Sequence, residues 1–295
     1  MAWQDTLIRL YLYICKHYQG RLWLLARRLS NNDQPQFTDE EVLTIYLFGI
    51  IKNHRTIQGI YDYVTDHLAD WFPALPCYGG YVQRLNRLHE VFAPLLEQVL
   101  EDFAPEGVLD DVRLVDSMPV VMAHEKRSSQ AKVAPELANK GYCASKKMYF
   151  YGVKVHLLAL PRPGTLPVPD YIGLSPGAAN DLSVLRSVLP RLRDGEVYGD
   201  KIYADAELVE RLAREQNVRL YTPIKKKKGQ KELALTDRVY SQIVSGVRQP
   251  VESLFNWLEE KTGIEVASKV RSYKGLMVHV FGRLAAAMFM LAFNP

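Results

Sequence analysis

The sequence lacks the features of a secreted, disulfide-bonded or zinc-binding protein. Its three cysteines, Cys15, Cys77 and Cys143, are far apart and odd in number, which is typical of a reducing compartment and offers no thiolate pair for zinc. The seven histidines form neither an HxxxH nor an HExxH pattern. The N-terminal MAWQDTLIRL has an acidic residue where a secretory signal would be basic. We therefore expect a cytoplasmic protein without a soft-metal site.

Long hydrophobic runs are also lacking. The longest uncharged apolar stretch covers residues 284–293, directly after Arg283, and is about half of the roughly 20 residues that a membrane-spanning helix needs. We expect this stretch to be a buried terminal helix, and we expect no membrane partner. The 295 residues, 48% of them hydrophobic, are enough to form one large core or two smaller ones.

A large excess of charge is missing as well, but positive charge is concentrated in two segments. The net charge of +4 does not by itself indicate a nucleic-acid partner. Six Lys or Arg accompany two Glu between His124 and Lys147, and five lysines lie among the seven residues from Lys225 to Lys231. Each segment is compatible with a solvated loop as well as with a surface for an anionic partner.

The first hundred or so residues have a helical pattern. Apolar residues recur at intervals of three and four in IRLYLYICKHY and in EEVLTIYLFGIIK. Thr38 and Glu41 have the spacing of a capping box before the second segment, and Thr56 can cap a further helix after a short turn. This arrangement is compatible with a helix-turn-helix and equally with plain core packing. Pro94 should kink the next helical stretch or start a new helix.

The pattern changes near residues 105–111, where we place a domain boundary. β-rich runs begin at residues 112, 149 and 170, and helices then alternate with the short strands EVYGD and VRLYTPI before a helical end. This order of elements is that of the ribonuclease H-like layout. We therefore predict an all-α N-terminal domain, residues 1–108, followed by an α/β ribonuclease H-like mixed sheet flanked by helices, residues 109–295.

Three carboxylates fall where this layout would bring acidic side chains together. Asp116 lies inside the apolar run VRLVDSMPVV, where burying it is costly unless it binds something. Asp200 ends the predicted fourth strand, and Glu252 lies near the start of a late helix, four residues after Arg248. Carboxylates from separate elements are the ligands with which a protein holds a pair of Mg²⁺ ions for phosphodiester chemistry.

Each of these residues also has an ordinary structural interpretation. Asp116 can lie on the solvent face of its strand, and Asp200 can serve a turn. Glu252 can form a surface ion pair with Arg248. Other acidic residues near the two later positions are rivals for their roles: Asp205, Glu259 and Glu260.

The local sequences resemble the insertion sequence 982 family of transposases, within the larger group of Asp-Asp-Glu (DDE) transposases. The resemblance is carried by VDSMPV around Asp116, GYCASKKMYFYGVKVHLL from Gly141, LSPGAANDLSVL from Leu174, YGDKIYAD around Asp200 and RQPVESLFNWLEE around Glu252. The segment FTDEEVLTIYLFGI is similar to the N-terminal region of that family. The resemblance thus covers nearly the whole chain.

The resemblance implies a DNA transposase that cleaves at the ends of an insertion element and joins the freed 3′-hydroxyl to target DNA. Asp116, Asp200 and Glu252 match the catalytic positions, which bind two Mg²⁺ ions that Mn²⁺ can replace. Basic residues are expected at the DNA: Lys146, Lys147 and Lys154 on phosphates and Arg248 near the cleaved strand.

The resemblance also implies the partners and the setting of the protein. The partners are double-stranded DNA, as element terminal inverted repeats and as target, and a second copy of the chain in a homodimer on DNA. The helical N-terminal domain is expected to bind DNA ends or to mediate dimerisation, in a prokaryotic cytoplasm.

Two other functions are compatible with the sequence. A ribonuclease H-like nuclease would cut DNA without joining it. A DNA-binding protein that has lost transposition would keep the fold alone, but such a binder has no need to bear the mutual repulsion of three acids.

Overall fold

The computed structural model describes residues 2–28, 35–102, 107–189 and 192–293. The chain divides into two compact units. The first unit comprises Met1–Ala104, Val133–Glu136 and Leu258–Pro295, and the second comprises Pro105–Lys132 and Leu137–Trp257. The C-terminal helices therefore belong to the same unit as the N-terminal helices.

Among the described residues, strands occur only after the first five α-helices. The α-helices are α1 (Trp3–Gly20), α2 (Asp39–Ile51), α3 (Ile57–His67), α4 (Tyr78–Arg87), α5 (Phe92–Asp102), α6 (Glu125–Ser128), α7 (Asp181–Val188), α8 (Ala206–Gln216), α9 (Leu235–Thr262), α10 (Tyr273–Met277) and α11 (Arg283–Phe293). The strands are β1 (Val112–His124), β2 (Asn139–Cys143), β3 (Met148–Leu160), β4 (Val168–Pro176), β5 (Gly195–Tyr198) and β6 (Val218–Tyr221). A helical N-terminal region thus precedes a mixed sheet with helices.

The predicted caps in the first unit are confirmed. The Thr38 hydroxyl accepts a hydrogen bond from the amide of Glu41, whose carboxylate accepts one from the amide of Thr38, which completes the capping box of α2. Thr56 accepts from the amide of Gly59 at the start of α3. Pro94 lies in the first turn of α5, where its missing N–H costs nothing, so it starts a new helix as one of the two predicted outcomes.

The core of the first unit is built around α2, which is buried on all sides. Leu43, Tyr46 and Phe48 of this helix are almost fully inaccessible to solvent. Helix α11 packs against α2 and α5. The segment Tyr273–Ala292 is long and apolar enough to cross a membrane, but 78% of it is buried within the protein. The predicted buried terminal helix is therefore found in the core.

The sheet of the second unit has the order β2-β3-β1-β5-β6, with β4 beside β3. Strand β3 pairs antiparallel with β1 along one of its sides. Along its other side, the first part of β3 pairs antiparallel with β2 and the second part with β4. Strands β5 and β6 join in parallel with β1 through the helices α7 and α8. The inner faces of α7 and α8 cover the sheet: Leu185 and Leu208 pack with Val115, Leu158 and Val197 in one apolar cluster.

Two elements differ from the sequence-based expectation. Strand β2 was not predicted, because NKGYC is short and has little apolar character to mark it. The sequence predicts two helices, at residues 235–246 and 248–261, but these residues form one helix, α9, with Pro250 inside it. Proline at that position removes a backbone hydrogen bond without ending the helix, since the flanking turns pack against the rest of the unit.

Candidate active site

Asp116 lies within β1, and Asp200 directly follows β5, the strand that neighbours β1 in the sheet. Leu114 of β1 is the register partner of Tyr198 of β5 in a parallel pair. Each aspartate lies two residues beyond its member of that pair, and side chains two positions apart along a strand share a face. The two carboxylates therefore follow the same point on neighbouring parallel strands.

The Asp116 carboxylate is largely buried in the second unit and accepts hydrogen bonds from two donors. Its Oδ1 accepts a hydrogen bond from the amide of Ser117 at 2.8 Å, and its Oδ2 accepts one from Nη1 of Arg248 at 2.7 Å. Burial raises the pKa of Asp116 to about 6; the Arg248 charge opposes that shift, while the negative charges of Asp200 and Glu252 add to it. The negative charges of Asp200 and Glu252 are therefore close enough to Asp116 to affect its pKa.

One oxygen of the Asp200 carboxylate is bound to the backbone of the next residue. Its Oδ1 accepts from the amide of Lys201 at 2.7 Å and caps a short 3₁₀ helix, Lys201–Tyr203. This is the turn role that the sequence left open for it. Among the described residues its Oδ2 has no hydrogen-bond donor, so one oxygen of Asp200 is available to a ligand.

Arg248 connects Glu252 to Asp116. Its Nη2 donates to Oε1 of Glu252 one turn later on α9, while its Nη1 donates to Asp116. The guanidinium is largely buried, whereas half of the Glu252 side chain is exposed. The nearby acids raise the pKa of Arg248 against the opposing effect of burial. The ion pair expected as the ordinary interpretation of Glu252 exists, and the same arginine also binds a carboxylate 132 residues away in sequence.

The rival acidic residues are engaged elsewhere. Asp205 caps α8 by accepting from the amide of Leu208, and it also forms an ion pair with Arg186. Glu259 accepts from the amide of Glu265 within the first unit. Glu260 pairs with its neighbour Lys261. None of these three contacts reaches Asp116 or Asp200.

The lysines expected at DNA phosphates fall into two classes. Lys146 and Lys147 are exposed in the turn between β2 and β3, where Lys147 has a positive φ of 50°. Lys154 points into the unit instead. Its ammonium donates to both carboxylate oxygens of Asp181, at 3.1 and 3.2 Å, and to the carbonyl of Ala179 at 3.0 Å.

A buried polar network lies next to Asp116 and was not predicted from the sequence. Asp181 accepts from the Ser117 hydroxyl at 2.9 Å as well as from Lys154. His156 lies beside Asp181 and hydrogen-bonds Ser175 at 2.7 Å, and burial lowers the pKa of His156 to about 4. The i, i+2 spacing of Lys154 and His156 on β3 was the one available signal. The network fixes the backbone next to Asp116 through Ser117.

The donor set suits a hard divalent cation. Asp116, Asp200 and Glu252 offer carboxylate oxygens, the ligands that Mg²⁺ prefers, and Oε2 of Glu252 has no hydrogen-bond donor among the described residues. Across the described ranges, however, no group of three or more His, Cys, Asp or Glu side chains is arranged as the ligands of one ion. The Arg248 guanidinium lies between two of the carboxylates in this arrangement.

Comparison with known protein families shows what the chain is similar to. The family described as Transposase DDE domain matches the chain over residues 106–272. No curated protein and no solved structure shows significant similarity to it.

Proposed function

The chain belongs to the transposase DDE domain family, and from that premise we propose that it cleaves DNA at the ends of an insertion element and joins the 3′-hydroxyl to target DNA. The family implies a transposase that binds DNA, and its members generally use divalent metal ions. One observation supports the specific chemistry: Asp116 and Asp200 follow paired positions on parallel strands, and Arg248 connects Asp116 to Glu252.

Within this proposal Asp116, Asp200 and Glu252 hold two Mg²⁺ ions, for which Mn²⁺ can substitute. Two divalent ions held there would supply activation of the attacking oxygen and neutralisation of charge on the leaving oxygen. The chain itself positions the carboxylates. The amides of Ser117 and Lys201 each fix one carboxylate oxygen and leave the second oxygen to a ligand or to Arg248.

Arg248 has a distinct role in the proposal. Its positive charge offsets the mutual repulsion of Asp116 and Glu252. Near the cleaved strand the same guanidinium can turn to a phosphate, since its bidentate geometry fits a phosphate as well as a carboxylate. Loss of Arg248 should therefore impair both the assembly of the acidic site and contact with DNA.

The proposed contacts with DNA depend on which lysines are exposed. Lys146 and Lys147 are exposed and can meet DNA phosphates directly. Lys154 would have to leave its ion pair with Asp181 to do so. We assign the helical N-terminal residues 1–108 to binding of DNA ends or to dimerisation, and residues 109–295 to catalysis.

The finer classification is part of the same proposal. The motifs around Asp116, Asp200 and Glu252 support membership of the insertion sequence 982 family, with a ribonuclease H-like catalytic fold. A homodimer on double-stranded DNA in a prokaryotic cytoplasm is the expected working form.

An assay of products separates this function from its two alternatives. The full chain is incubated with Mg²⁺ and a duplex that carries the ends of the element encoding it, together with target DNA. Nicked and strand-joined products support transposition. Nicks without joined products would instead indicate a nuclease, and tight binding without any cleavage would indicate a binder.

A further inference from the structure

The first unit contains a cavity of about 810 Å³ that the catalytic proposal does not use. Its walls come from the α2–α3 region, from α4 and from the segment between α9 and α11. A volume of this size is within the range of small-molecule sites in proteins. The lining has a positively charged part and an apolar part, and together they indicate the chemistry of a ligand that would fit.

The positive part is centred on a buried arginine. Arg283 is only 5% exposed and lines the cavity beside Tyr46, whose hydroxyl interacts with its guanidinium; among the described residues its Nη1 has no partner in hydrogen-bond geometry. Its other two nitrogens are engaged: Nε donates to Nδ1 of His279 at 3.2 Å, and Nη2 donates to the carbonyl of Arg55 at 2.6 Å. A buried guanidinium nitrogen left unpaired is costly unless a ligand satisfies it.

His279 fixes the direction of that guanidinium. Its Nε2 lies 2.9 Å from the carbonyl of Ile264 and must donate to it, so its Nδ1 is the atom that accepts from Arg283. Burial, together with the neighbouring charge of Arg283, lowers the pKa of His279 to about 3, which keeps the ring neutral and this pairing intact. Both residues flank or lie in the π-helical segment Val278–Gly282, a type of irregularity that often accompanies functional sites.

Exposed basic residues in the lining add to the positive charge of the cavity. Arg55, Lys269 and Arg271 line it and are exposed. Glu259 is the acidic lining residue, and its Oε2 already accepts from the amide of Glu265 at 2.7 Å. The buried Arg283 has no carboxylate within ion-pair distance among the described residues. The cavity therefore offers an anion a desolvated guanidinium and exposed cations around it, of which Arg55 and Arg271 are held by backbone carbonyls.

The apolar part of the lining fits a flat ring. Ile57, Val82 and Val270 line the cavity together with the aromatic face of Tyr78. Tyr78 is partly exposed and is held edge-on by Tyr61, with ring centroids 5.5 Å apart. An aromatic side chain beside aliphatic ones is the usual surface for stacking a base.

We propose that this cavity binds a nucleoside phosphate, with the phosphate on Nη1 of Arg283 and the base against Tyr78 and Val82. The ligand is either a free nucleotide or one nucleotide of a DNA strand, because both present the same phosphate and base. The site lies in the first unit and needs no metal, so it stands apart from the proposed catalytic function.

The test is calorimetric titration of the full chain without divalent metal, using thymidine 5′-monophosphate, thymidine and inorganic phosphate as separate probes. The monophosphate should bind at least about tenfold more tightly than thymidine, since a hydrogen bond to a charged group is lost with the phosphate. Equal binding of the two, or no binding of the monophosphate, overturns the proposal.

Matched variants locate the binding in this cavity. Lys269→Ala with Arg271→Ala removes two exposed charges at the mouth and should weaken the monophosphate by about tenfold. Arg9→Ala with Lys16→Ala removes two exposed charges of the same unit away from the lining and should leave binding unchanged. Equal weakening by both pairs overturns the proposal. Arg283→Lys should also weaken binding, with thermal unfolding as the check that it folds.

Competition distinguishes the two sources of the ligand. If a short single-stranded DNA displaces the monophosphate, the site holds a nucleotide of a strand. If the monophosphate resists displacement, the site holds a free nucleotide. Because no cleavage is measured, a catalytically inactive protein would still give a clear result.

Discussion

Asp39 shows how a buried carboxylate is stabilised by several cations in the first unit. Arg84 and Arg87 donate to its two oxygens, as do Arg28 and the hydroxyl of Tyr18. Burial alone would raise the pKa of Asp39, but the hydrogen bonds from Arg87, Arg84 and Tyr18 outweigh it and lower the pKa to about 2. The charged form is therefore the one that the folded unit favours.

The first prediction follows from the sign of that shift. Because the folded pKa of Asp39 lies below its ordinary value of 3.8, its contribution to stability is complete above that value and is lost as pH falls towards about 2. Asp39→Asn should lower the urea midpoint at neutral pH, by an amount that corresponds to roughly 3 kcal/mol for a broken buried ion pair. The gap between wild type and variant should narrow as pH falls through that window. A gap that is constant with pH would contradict this account.

The second prediction concerns Lys154. Its ammonium is satisfied by Asp181 and Ala179 inside the second unit, so Lys154→Met should lower the free energy of unfolding by about 3 kcal/mol. Lys147→Met, in an exposed turn, should change it by less than about 0.5 kcal/mol and should weaken DNA binding instead. A Lys154→Met protein of full stability with impaired DNA binding would assign this ammonium to DNA.

The chemistry-bearing residues were only partly predictable from the sequence. Asp116 was conspicuous as an acid inside an apolar run, and the pairing of Asp205 with the start of α8 followed from capping rules. Asp181 could equally have capped α7, a role that Asn180 takes. The ion pair of Asp181 with Lys154 joins residues that are 27 positions apart in sequence. It depends on how β3 and α7 pack, which no local sequence pattern predicts.

At the scale of elements, the strongly periodic segments were found and the weak ones were missed. Strands β1 and β3 are long and apolar, so their β-rich runs identified them in the sequence. Strand β2 contains Lys140 and Gly141 and owes its existence to pairing with β3. The break predicted after Gly246 is absent, and α9 continues through both Gly246 and Pro250, since tertiary packing overrides local propensity.

The third prediction tests the central strand pair. A Cβ at Gly152 of β3 would lie 2.0 Å from the carbonyl oxygen of Val120 on β1, too close without separating the strands. Gly152→Ala should therefore lower the thermal midpoint markedly, as overpacking costs about 1–3 kcal/mol or more. Gly246→Ala is the control, because a Cβ there meets nothing within 4 Å and should stabilise α9 by about 0.5–1 kcal/mol. Equal effects would refute the close approach.

At the scale of the whole molecule, the distribution of charge matters more than the net charge of +4. The loop Lys225–Lys231 lies between β6 and α9, and its lysines are exposed. Lys226 donates to the carbonyl of Lys231, which ties the loop back on itself. The remaining ammonium groups of the loop project into solvent, where DNA phosphates can displace counterions.

The fourth prediction concerns this loop. Replacing Lys225, Lys227 and Lys228 with Ala should reduce the slope of log K against log salt by roughly 2 to 3 in magnitude, close to one per lost phosphate contact. The control replaces three exposed arginines of α8 and β6, Arg211, Arg214 and Arg219, and should leave the slope nearly unchanged. Binding curves on duplex DNA at several salt concentrations measure both. Identical slopes for wild type and the lysine variant would remove the loop from the DNA interface.

The carboxylates are tested most directly by strand cleavage and joining in Mg²⁺ with three single variants, Asp116→Asn, Asp200→Asn and Glu252→Gln. Each should reduce nicked and joined products by about a thousandfold or more, because residues that act as one catalytic unit are not replaceable singly, while DNA binding persists. Asp205→Asn and Glu260→Gln, which alter acids paired elsewhere, should remain active. Undiminished cleavage by any of the first three, or loss of cleavage in Asp205→Asn without loss of folding, would contradict the assignment.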